Sequence, residues 1–573
     1  MDDTRTALET RLRAAFDTVE PGVDPVLRPS DHADFQANGA LALAKRLGRP
    51  PRELAEQIVA AASLDDLCEA VEVSGPGFIN LTLATSFIAR QLSSMAADDR
   101  LGVPPAEPEN VIVDYSSPNV AKEMHVGHLR GTVIGDALCR MLSFVGHHVR
   151  RENHIGDWGT PFGMLIEHLI DLGEEKAVLE LSVGDLDTFY RQARASFDSD
   201  EAFQERSRAR VVLLQSGDPE TLRLWRILVA ESVHYFDEVY AKLDVLLTDD
   251  DIVGESFYDP LLPDVVKDLD AIGLLVESDG ARCVFPPGFK NRHGDPLPLI
   301  VQKSDGGYGY AATDLAAIRD RVTRLGATSI LYLVGAPQAQ HFEMCFATAS
   351  MAGWLHDGVR ASHVSFGSVQ GADHKILKTR AGDRIRLVDL LDEAVERADR
   401  AIAEKNPELD EATRRAVARM LGIGAIKYAD LSTDRQRDYV FDWERMLAFE
   451  GNTAPYLQYA HARIRSIFRR GNVDVPPAGI APLLTEPAER ELALALLGFG
   501  DAVLSSMTSW SPSRLCAYLF DVATTFTTFY ENCPVLKAPS EESRRSRLTL
   551  SDLTARVLAL GLELLGISAP DQM

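Results

Sequence analysis

The chain has 573 residues, 46% of them apolar, and its 59 Lys and Arg against 85 Asp and Glu give a formal net charge of −26. This composition excludes an intrinsically disordered chain and a small disulfide-stapled domain, and the length predicts about three or four domains. The acidity argues against a protein that coats nucleic acid, because phosphate affinity comes from Lys and Arg displacing counterions. Local binding of nucleic acid stays open.

The six cysteines are far apart and form no CxxC pair, so we expect neither a zinc ribbon nor a redox dithiol, and no structural metal. No apolar run reaches ~18 residues without a charge, which is the length that a membrane span needs. The first residues also lack the layout of a signal peptide. We therefore expect a cytoplasmic protein with no membrane partner.

Residues 1–106 are predicted to form an N-terminal α+β domain. An amphipathic helical pattern opens the chain with Leu8, Leu12 and Phe16, and period-two alternation after a Gly-Pro-Gly turn predicts a strand ending near Leu83. A proline-rich loop at 102–108 follows and marks the domain boundary.

The rest of the chain changes from mixed to helical patterning. From 107 to 390, short β-rich runs alternate with helical stretches, which is typical of a doubly wound α/β sheet with insertions. Residues 391–449 predict a helical connector, and 450–573 predict a helical domain. The predicted fold class is thus α/β, a Rossmann-type doubly wound parallel catalytic sheet with an N-terminal α+β domain and a C-terminal α-helical bundle.

Two histidines three residues apart start a predicted helix just after the first buried strand of this sheet, in the run His125-Val-Gly-His128. Helix N-terminal amides and imidazole donors favour a phosphate group. Ser117 and Asn119 follow the strand directly, where ligands of open α/β sheets bind. The pattern predicts a nucleotide site, although on these residues alone the histidines could equally cap the helix and contact solvent.

The run from Ser116 to Arg130 resembles the HIGH motif of class I aminoacyl-tRNA synthetases, in the extended form of the arginyl-tRNA synthetase family. Segments 154–160, 254–258, 302–306 and 449–455 are similar to further blocks of that family in the same order. The resemblance covers essentially the whole chain. It implies that L-arginine is activated by ATP with Mg²⁺ and transferred to the terminal adenosine of tRNA(Arg) by a monomeric enzyme.

The family's second signature, the KMSKS loop, matches Ile376-Leu-Lys-Thr-Arg380, where Thr379 replaces the usual second lysine. In the family the missing cation comes from the lysine before the HIGH motif, here Lys122. Pro161 stands where many relatives have glutamine, and we assign it no role. The catalytic residues implied by the resemblance are Lys122, His125, His128, Lys378 and Arg380, and the ATP-binding residues are His125, Gly127, His128, Leu377 and Lys378.

A site for arginine has to replace water around a planar cation, and a buried carboxylate with an aromatic or hydroxyl group can do so. Tyr310 and Asp314 have the spacing of one helical turn and share a helix face. On the residues alone, a capping Asp314 and a core Tyr310 remain an alternative. The resemblance implies guanidinium contacts from this pair, and contacts to the amino and carboxyl groups from Asp114, Ser117, Asn119 and Gln338.

Residues 456–470 predict a helix with a basic stripe and interleaved aromatics, which suits either RNA contact or a solvated helix face. The segment resembles the start of the family's anticodon-binding domain, and residues 1–106 resemble its extra domain that contacts the tRNA D-loop. The implied tRNA-binding residues are Phe78, Asn80, Tyr456, Tyr459, Arg463 and Met573. A buried Phe78 is an equally good reading of that position.

Two other functions compete with this one. A small-molecule ligase could make an adenylate without tRNA, but it would not need residues 450–573. A binding-only paralogue could sense tRNA or arginine, but a sensor could lose the residues that bind phosphate, and Lys122, His125, His128 and Asp314 are all present.

Overall fold

The computed structural model describes residues 4–182, 186–377, 385–476 and 479–573. The chain divides into two compact units. The terminal unit combines Met1–Pro105, Ala448–Glu563 and Ser568–Met573, and the central unit combines Ala106–Leu447 and Leu564–Ile567. The four domains expected from the sequence remain a prediction, because this grouping joins the two chain ends without testing where a domain begins or ends.

The first part of the terminal unit is a four-stranded antiparallel sheet in the order β1-β2-β4-β3 with four helices. Along β4 the side chains of Ile79, Leu81 and Leu83 are buried while those between them are half-buried, as the period-two pattern predicted. The predicted α+β fold is confirmed. The elements are α1 (Thr4–Asp17), β1 (Leu27–Pro29), β2 (Phe35–Ala37), α2 (Gly39–Leu47), α3 (Pro51–Ala61), β3 (Cys68–Ser74), β4 (Phe78–Leu83) and α4 (Thr85–Ala96).

The central unit alternates strands and helices. Its elements are β5 (Asn110–Asp114), α5 (Val126–Val145), β6 (His148–Glu152), α6 (Pro161–Leu172), α7 (Glu174–Ser182), α8 (Leu186–Ser199), α9 (Glu201–Gln215), α10 (Pro219–Leu243), α11 (Glu255–Tyr258), α12 (Leu262–Ala271), β7 (Val276–Ser278), β8 (Ala281–Val284), β9 (Leu299–Gln302), α13 (Tyr310–Thr323), β10 (Ser329–Tyr332), α14 (Ala339–Met351), β11 (Arg360–His363), β12 (Val369–Gln370), α15 (Leu387–Lys405), α16 (Glu411–Leu431), β13 (Tyr439–Val440) and α17 (Trp443–Met446).

A four-stranded parallel sheet in the order β11-β10-β5-β6 forms the centre of this unit. After β5 the chain adds β6 on one side and later β10 on the other, so the strand order reverses between β5 and β10. Both strands are buried almost throughout, as expected when helices cover a parallel sheet. The predicted Rossmann-type sheet is confirmed, and its switch point lies where Asp114 pairs with Tyr332.

The second part of the terminal unit is helical, as predicted. Arg490 of this part donates to both carboxylate oxygens of Asp34, at 2.8 and 2.7 Å, and so ties it to the N-terminal sheet. The stretch Pro487–Thr508 is long and apolar enough to cross a membrane, but half of it is buried inside the protein. The helices are α18 (Ala454–Gly471), α19 (Pro487–Leu497), α20 (Phe499–Thr508), α21 (Ser513–Asn532) and α22 (Glu541–Leu564).

Candidate active site

A cavity of about 850 Å³ opens at the switch point of the parallel sheet. Its walls come from the loop after β5, the first turn of α5, the loop after β10 and the segment before β12. Ligands of open α/β sheets bind at such a place, outside the carboxyl ends of the strands. Predicted site residues that line it are Ser117, Asn119, Lys122, His125, Gly127, His128 and Gln338.

The loop after β5 is held in an unusual backbone conformation. Ser116 and Ser117 have φ angles of 75° and 49°, in the left-handed region that costs a residue with a side chain about 1–2 kcal/mol. The Ser116 hydroxyl contacts the Tyr240 hydroxyl at 2.8 Å, and the Ser117 amide donates to the Asn153 side chain at 3.0 Å. These bonds offset the strain and fix the loop that presents Asn119 to the cavity.

His125 and His128 cap α5 and line the cavity at the same time. His125 Nδ1 accepts the Gly127 amide at 3.0 Å, and His128 Nδ1 accepts the His125 amide at 3.1 Å. The two rings are stacked with centroids 4.1 Å apart. Since Nδ1 accepts, each neutral ring carries its proton on Nε2 and can donate it. Two imidazole donors at a helix N-terminus suit a phosphate group.

Charged side chains surround the histidines. The Lys122 ammonium lies 4.6 Å from the centroid of the Tyr190 ring. Among the described residues, three carboxylates line the cavity and all are engaged: Arg386 contacts Glu123 at 3.3 Å and Asp389 at 2.7 Å, and Asp187 accepts the Glu123 amide at 3.1 Å. These contacts compete with direct binding of a divalent cation by the same carboxylates.

The predicted KMSKS-like segment is described only in part, because Lys378 and Arg380 lie outside the described residues. Before that gap, Leu377 donates its amide to the Val369 carbonyl at 3.1 Å. After the gap, residues 385–387 pair with 124–126, on either side of His125. The chain therefore leaves the gap directly beside the histidine pair.

The two residues predicted for the guanidinium differ in exposure. The Asp314 side chain is only 18% exposed, and its Oδ2 lies 2.5 Å from His341 Nε2. This hydrogen bond raises the pKa of His341. Tyr310 is the first residue of α13 and is 76% exposed, so the core position that the sequence left open for it is wrong. Their contacts to arginine remain a prediction.

Asp314, His341 and Cys345 lie close enough together to invite comparison with a metal site. Two ligand atoms each about 2.0–2.2 Å from a tetrahedral ion are more than about 3 Å apart. The 2.5 Å separation between Asp314 and His341 is that of a hydrogen bond, and the His341 to Cys345 distance is 3.7 Å. Burial also raises the pKa of the Cys345 thiol, which disfavours the thiolate that a metal needs. The cluster fits hydrogen bonding.

Glu255 is a candidate site residue that the sequence analysis did not name. Burial, followed by the neighbouring carboxylates of Asp157 and Asp314, raises the pKa of Glu255 to about 7. Asp157 is itself buried and accepts both the amide and the hydroxyl of Ser256, at 2.8 and 2.6 Å. Three carboxylates so close together favour a bound cation. Glu255 lies in a segment that the family resemblance covers, which was the only sequence signal for it.

Asp114 lies behind the cavity. Its carboxylate accepts Arg321 at 2.7 Å and the Ser117 hydroxyl at 3.2 Å, and Arg321 also donates to Glu152 at 2.7 Å. The Arg321 side chain is fully buried. In this arrangement Asp114 supports Ser117, and its predicted contact with the arginine substrate remains a prediction.

The residues predicted to contact tRNA at the C-terminal helices have mixed surroundings. Tyr459 is 46% exposed, whereas Tyr456 is half-buried against Phe520. The Arg463 guanidinium lies 4.6 Å from the centroid of the Tyr530 ring. The predicted basic stripe therefore has internal partners as well as exposed groups.

The end of the chain is fastened to α18. Gln458, His461 and Arg469 donate to carbonyl oxygens of residues 568–571 at 2.7–2.9 Å. Burial lowers the pKa of His461, so its ring is neutral and donates through Nδ1. The tail that ends in the half-buried Met573 thus has a defined position on this helix.

Phe78 and Asn80 share one face of β4. Asn80 accepts the Gln36 side chain at 2.8 Å and donates to the Ser74 hydroxyl at 2.9 Å. Phe78 is half-buried, so its exposure favours neither the predicted tRNA contact nor the buried position that the sequence also allowed. Both residues remain predictions as tRNA contacts.

A switch-point cavity with stacked histidines at a helix N-terminus, in a parallel α/β sheet, agrees with the class I aminoacyl-tRNA synthetase architecture expected from the sequence. Family models match in three segments: tRNA synthetases class I (R), catalytic domain, over 91–443; the DALR anticodon binding domain over 457–573; and the arginyl tRNA synthetase N terminal domain over 2–83. The chain belongs to the arginyl-tRNA synthetase family.

Individual relatives agree with this assignment. The chain is 57% identical to an arginine–tRNA ligase from Thermobifida fusca over all of both chains. It superposes on a crystal structure of the arginyl-tRNA synthetase from Plasmodium falciparum with a TM-score of 0.87 at 30% identity, covering all of both chains. The arginyl-tRNA synthetase from Thermus thermophilus matches with a TM-score of 0.82 at 26% identity, over 99% of this chain and 100% of that one.

Proposed function

We propose that this chain ligates L-arginine to tRNA(Arg) in two steps. The carboxylate of arginine attacks the α-phosphorus of ATP, which forms arginyl-adenylate and releases pyrophosphate. A ribose hydroxyl of the terminal tRNA adenosine then attacks the activated carbonyl, which forms arginyl-tRNA and releases AMP. The observation that carries the proposal is the stacked pair His125 and His128 in the switch-point cavity of a chain that belongs to this family.

The first step needs no covalent bond to the enzyme, so position and positive charge are what the chain supplies. The Nε2–H groups of His125 and His128 and the N-terminus of α5 bind the phosphates, with Gly127 allowing close approach. Lys122 supplies a cation to the developing charge. Lys378, Arg380 and Leu377 complete the ATP site according to the family's pattern.

Mg²⁺ enters as part of the substrate, bound to the phosphates of ATP. Mg²⁺ keeps several waters and is typically held by one or two carboxylates together with substrate phosphates. The cavity carboxylates that the structure describes are committed to Arg386 and to a backbone amide, which supports delivery by ATP over a resident protein site.

Arginine binds with its amino and carboxyl groups at Ser117, Asn119 and Gln338, while Asp114 holds Ser117 from behind. Its guanidinium meets Asp314 and Glu255 beneath Tyr310, and so offsets the burial and the repulsion that raise the pKa of Glu255. A lysine substrate would leave part of this carboxylate pair unpaired, and such buried mismatches give ~10⁴-fold discrimination or better.

For tRNA we propose contacts from the terminal unit, at Phe78 and Asn80 on the sheet and at Tyr456, Tyr459, Arg463 and Met573 on the helical part. An exposed aromatic ring on α18 and a basic residue one turn later support base stacking and phosphate pairing. We further propose that the enzyme acts as a cytoplasmic monomer.

Arginine-dependent exchange between ATP and pyrophosphate, measured with and without tRNA(Arg), tests the function. We expect exchange only when arginine and tRNA are both present, and arginyl-tRNA as the product. Exchange without any tRNA charging would favour the small-molecule ligase. No exchange under any condition would favour a binding-only protein.

A further inference from the structure

Arg130, the last residue of the HIGH-like run, has no role in the reaction proposed above. Its side chain is 1% exposed. Nε donates to Asp430 at 3.0 Å, and Nη1 donates to the carbonyl of Arg437 at 2.7 Å. The guanidinium also lies 5.3 Å from the centroid of the Tyr439 ring. One buried cation of α5 thus fixes the loop between α16 and β13.

The same loop carries Asp438, whose carboxylate accepts three hydrogen bonds from the segment 365–370. Oδ1 accepts the amide and the hydroxyl of Ser368 at 2.5 and 2.9 Å, and Oδ2 accepts the Gln370 side chain at 2.8 Å. The two bonds from Ser368 lower the pKa of Asp438, so it is a carboxylate at neutral pH. We name residues 365–370 the pocket strip.

The pocket strip packs closely against the loop between α16 and β13. A Cβ on Gly367 would come within 2.7 Å of Asp438 Oδ1 and 2.8 Å of the Arg437 carbonyl oxygen, so only glycine allows the contact. The Gly367 amide donates to the Arg435 carbonyl at 2.9 Å, and β12 at the end of the strip pairs with β13. The strip therefore takes its position from the loop.

The strip also forms a wall of the nucleotide cavity through Phe366. A Cβ on Gly131 would meet the Phe366 ring at 3.1 Å, so α5 and the strip touch here. Gly131 directly follows Arg130 in α5. The helix that carries the histidine pair thus meets the strip directly at Phe366 and holds it indirectly through Arg130 and the loop.

We propose that Arg130 and Asp438 are positioning residues which hold the pocket strip, and with it Phe366, against α5 and so set the nucleotide half of the cavity. The inference rests on the proposed function, because it takes ATP as the ligand of this cavity. Neither residue lines the cavity, so their effect reaches the nucleotide through Phe366. Arginine binds at other side chains and its binding is largely spared.

The test compares Asp438→Ala with Asp438→Asn in the full-length enzyme, using arginine-dependent exchange in the presence of tRNA. Asn keeps an oxygen for both Ser368 donors, and the Gln370 amide can turn to accept from the new amide. We expect Asp438→Ala to raise the KM for ATP about 5- to 20-fold, since it removes three hydrogen bonds. The KM for arginine should stay within about twofold, and Asp438→Asn should restore most of the ATP effect.

Asp434→Ala is the matched control. Asp434 is an exposed carboxylate of the same loop, and its side chain accepts the Gln436 amide at 3.0 Å. We expect wild-type KM values from it. Equal changes in both KM values for Asp438→Ala, or no change in either, would overturn the inference.

Arg130→Lys provides a second variant, because lysine keeps a positive charge beside Asp430 but lacks the rigid planar fork whose separate nitrogens donate to Asp430 and to the Arg437 carbonyl. We expect the same selective rise in the KM for ATP, with thermal unfolding recorded alongside to detect loss of the fold. If the wild-type chain gives no arginine-dependent exchange, the proposed function fails. If the wild type is active and both variants match it, the inference alone fails.

Discussion

His125 has two roles: its Nδ1 caps α5, and its Nε2 is the proposed phosphate donor. The sequence presented these as alternatives, because a cap and an anion site both need a polar residue at a helix start. The two roles are compatible because Nδ1 of each ring accepts a backbone amide at the start of α5, which leaves Nε2 for the proposed phosphate contact.

Mutations of His125 can separate these two roles. Asn is a good N-cap, so His125→Asn should retain the cap and the thermal midpoint while losing the Nε2 donor. His125→Ala should lose both, with a stability cost of about 1 kcal/mol. We expect kcat for exchange to fall ~10²- to 10³-fold in both variants. Equal activity of His125→Asn and the wild type would contradict the proposed phosphate contact.

We predict that Glu255 makes arginine binding depend on pH. Its pKa of about 7 means that the side chain is neutral below that pH and a carboxylate above it. Because the folded protein holds this proton more tightly than the unfolded chain does, the contribution of Glu255 to the free energy of unfolding falls as the pH rises from about 4.5 through 7. Guanidinium binding needs the carboxylate, so arginine affinity should rise over the upper part of that range.

Isothermal titration with arginine at pH 6, 7 and 8 measures this dependence, and Glu255→Gln should weaken binding and flatten it. His341 also titrates beside Asp314, with its pKa raised by their hydrogen bond. Any pH dependence of arginine binding that remains in Glu255→Gln is therefore attributed to His341. A wild-type affinity that does not change between pH 6 and 8 would rule out the Glu255 contact.

At the scale of elements, the sequence pattern predicts helices and strands correctly where residues close together in the sequence determine them. The alternation in β4, the buried run of β5 and the helix start at His125 were all predictable from the residues. Pro161, which had no role in the sequence reasoning, is the first residue of α6. Proline is favoured there because its missing amide would have no partner in the helix and its φ suits the helix.

Helix α18 holds the end of the chain partly through the buried His461, so the stability of the protein should depend on pH. His461 resists protonation in the fold because it is buried, and its contribution to the free energy of unfolding is present above about pH 6.5 and lost as the pH falls below that value. His461→Gln keeps a donor for the Pro570 carbonyl without titrating in this range. We expect the thermal midpoint of the wild type to fall more steeply from pH 7 to 5.5 than that of the variant, and parallel curves would contradict this.

At the scale of the whole molecule, the contacts that could not be predicted join residues far apart in the sequence. Arg321 reaches Asp114 across 207 positions, and no pattern in either segment signals the other. The proximity of Glu255 to Asp314 and the link from Arg130 to Asp430 arise in the same way. Sequence reasoning found the motifs and the fold class, while the pairing of distant charges required the folded chain.

The bond between Asp34 and Arg490 spans 456 positions, and α4 packs against α19 in the same unit. A ribosome that adds about 5–20 residues per second makes the second partner roughly 20–90 seconds after the first. During that interval the surface that α4 presents to α19 lacks the cover that α19 later provides. The terminal unit is therefore completed only once the C-terminal helices have been synthesised, and we expect its early segment to need protection from aggregation until then.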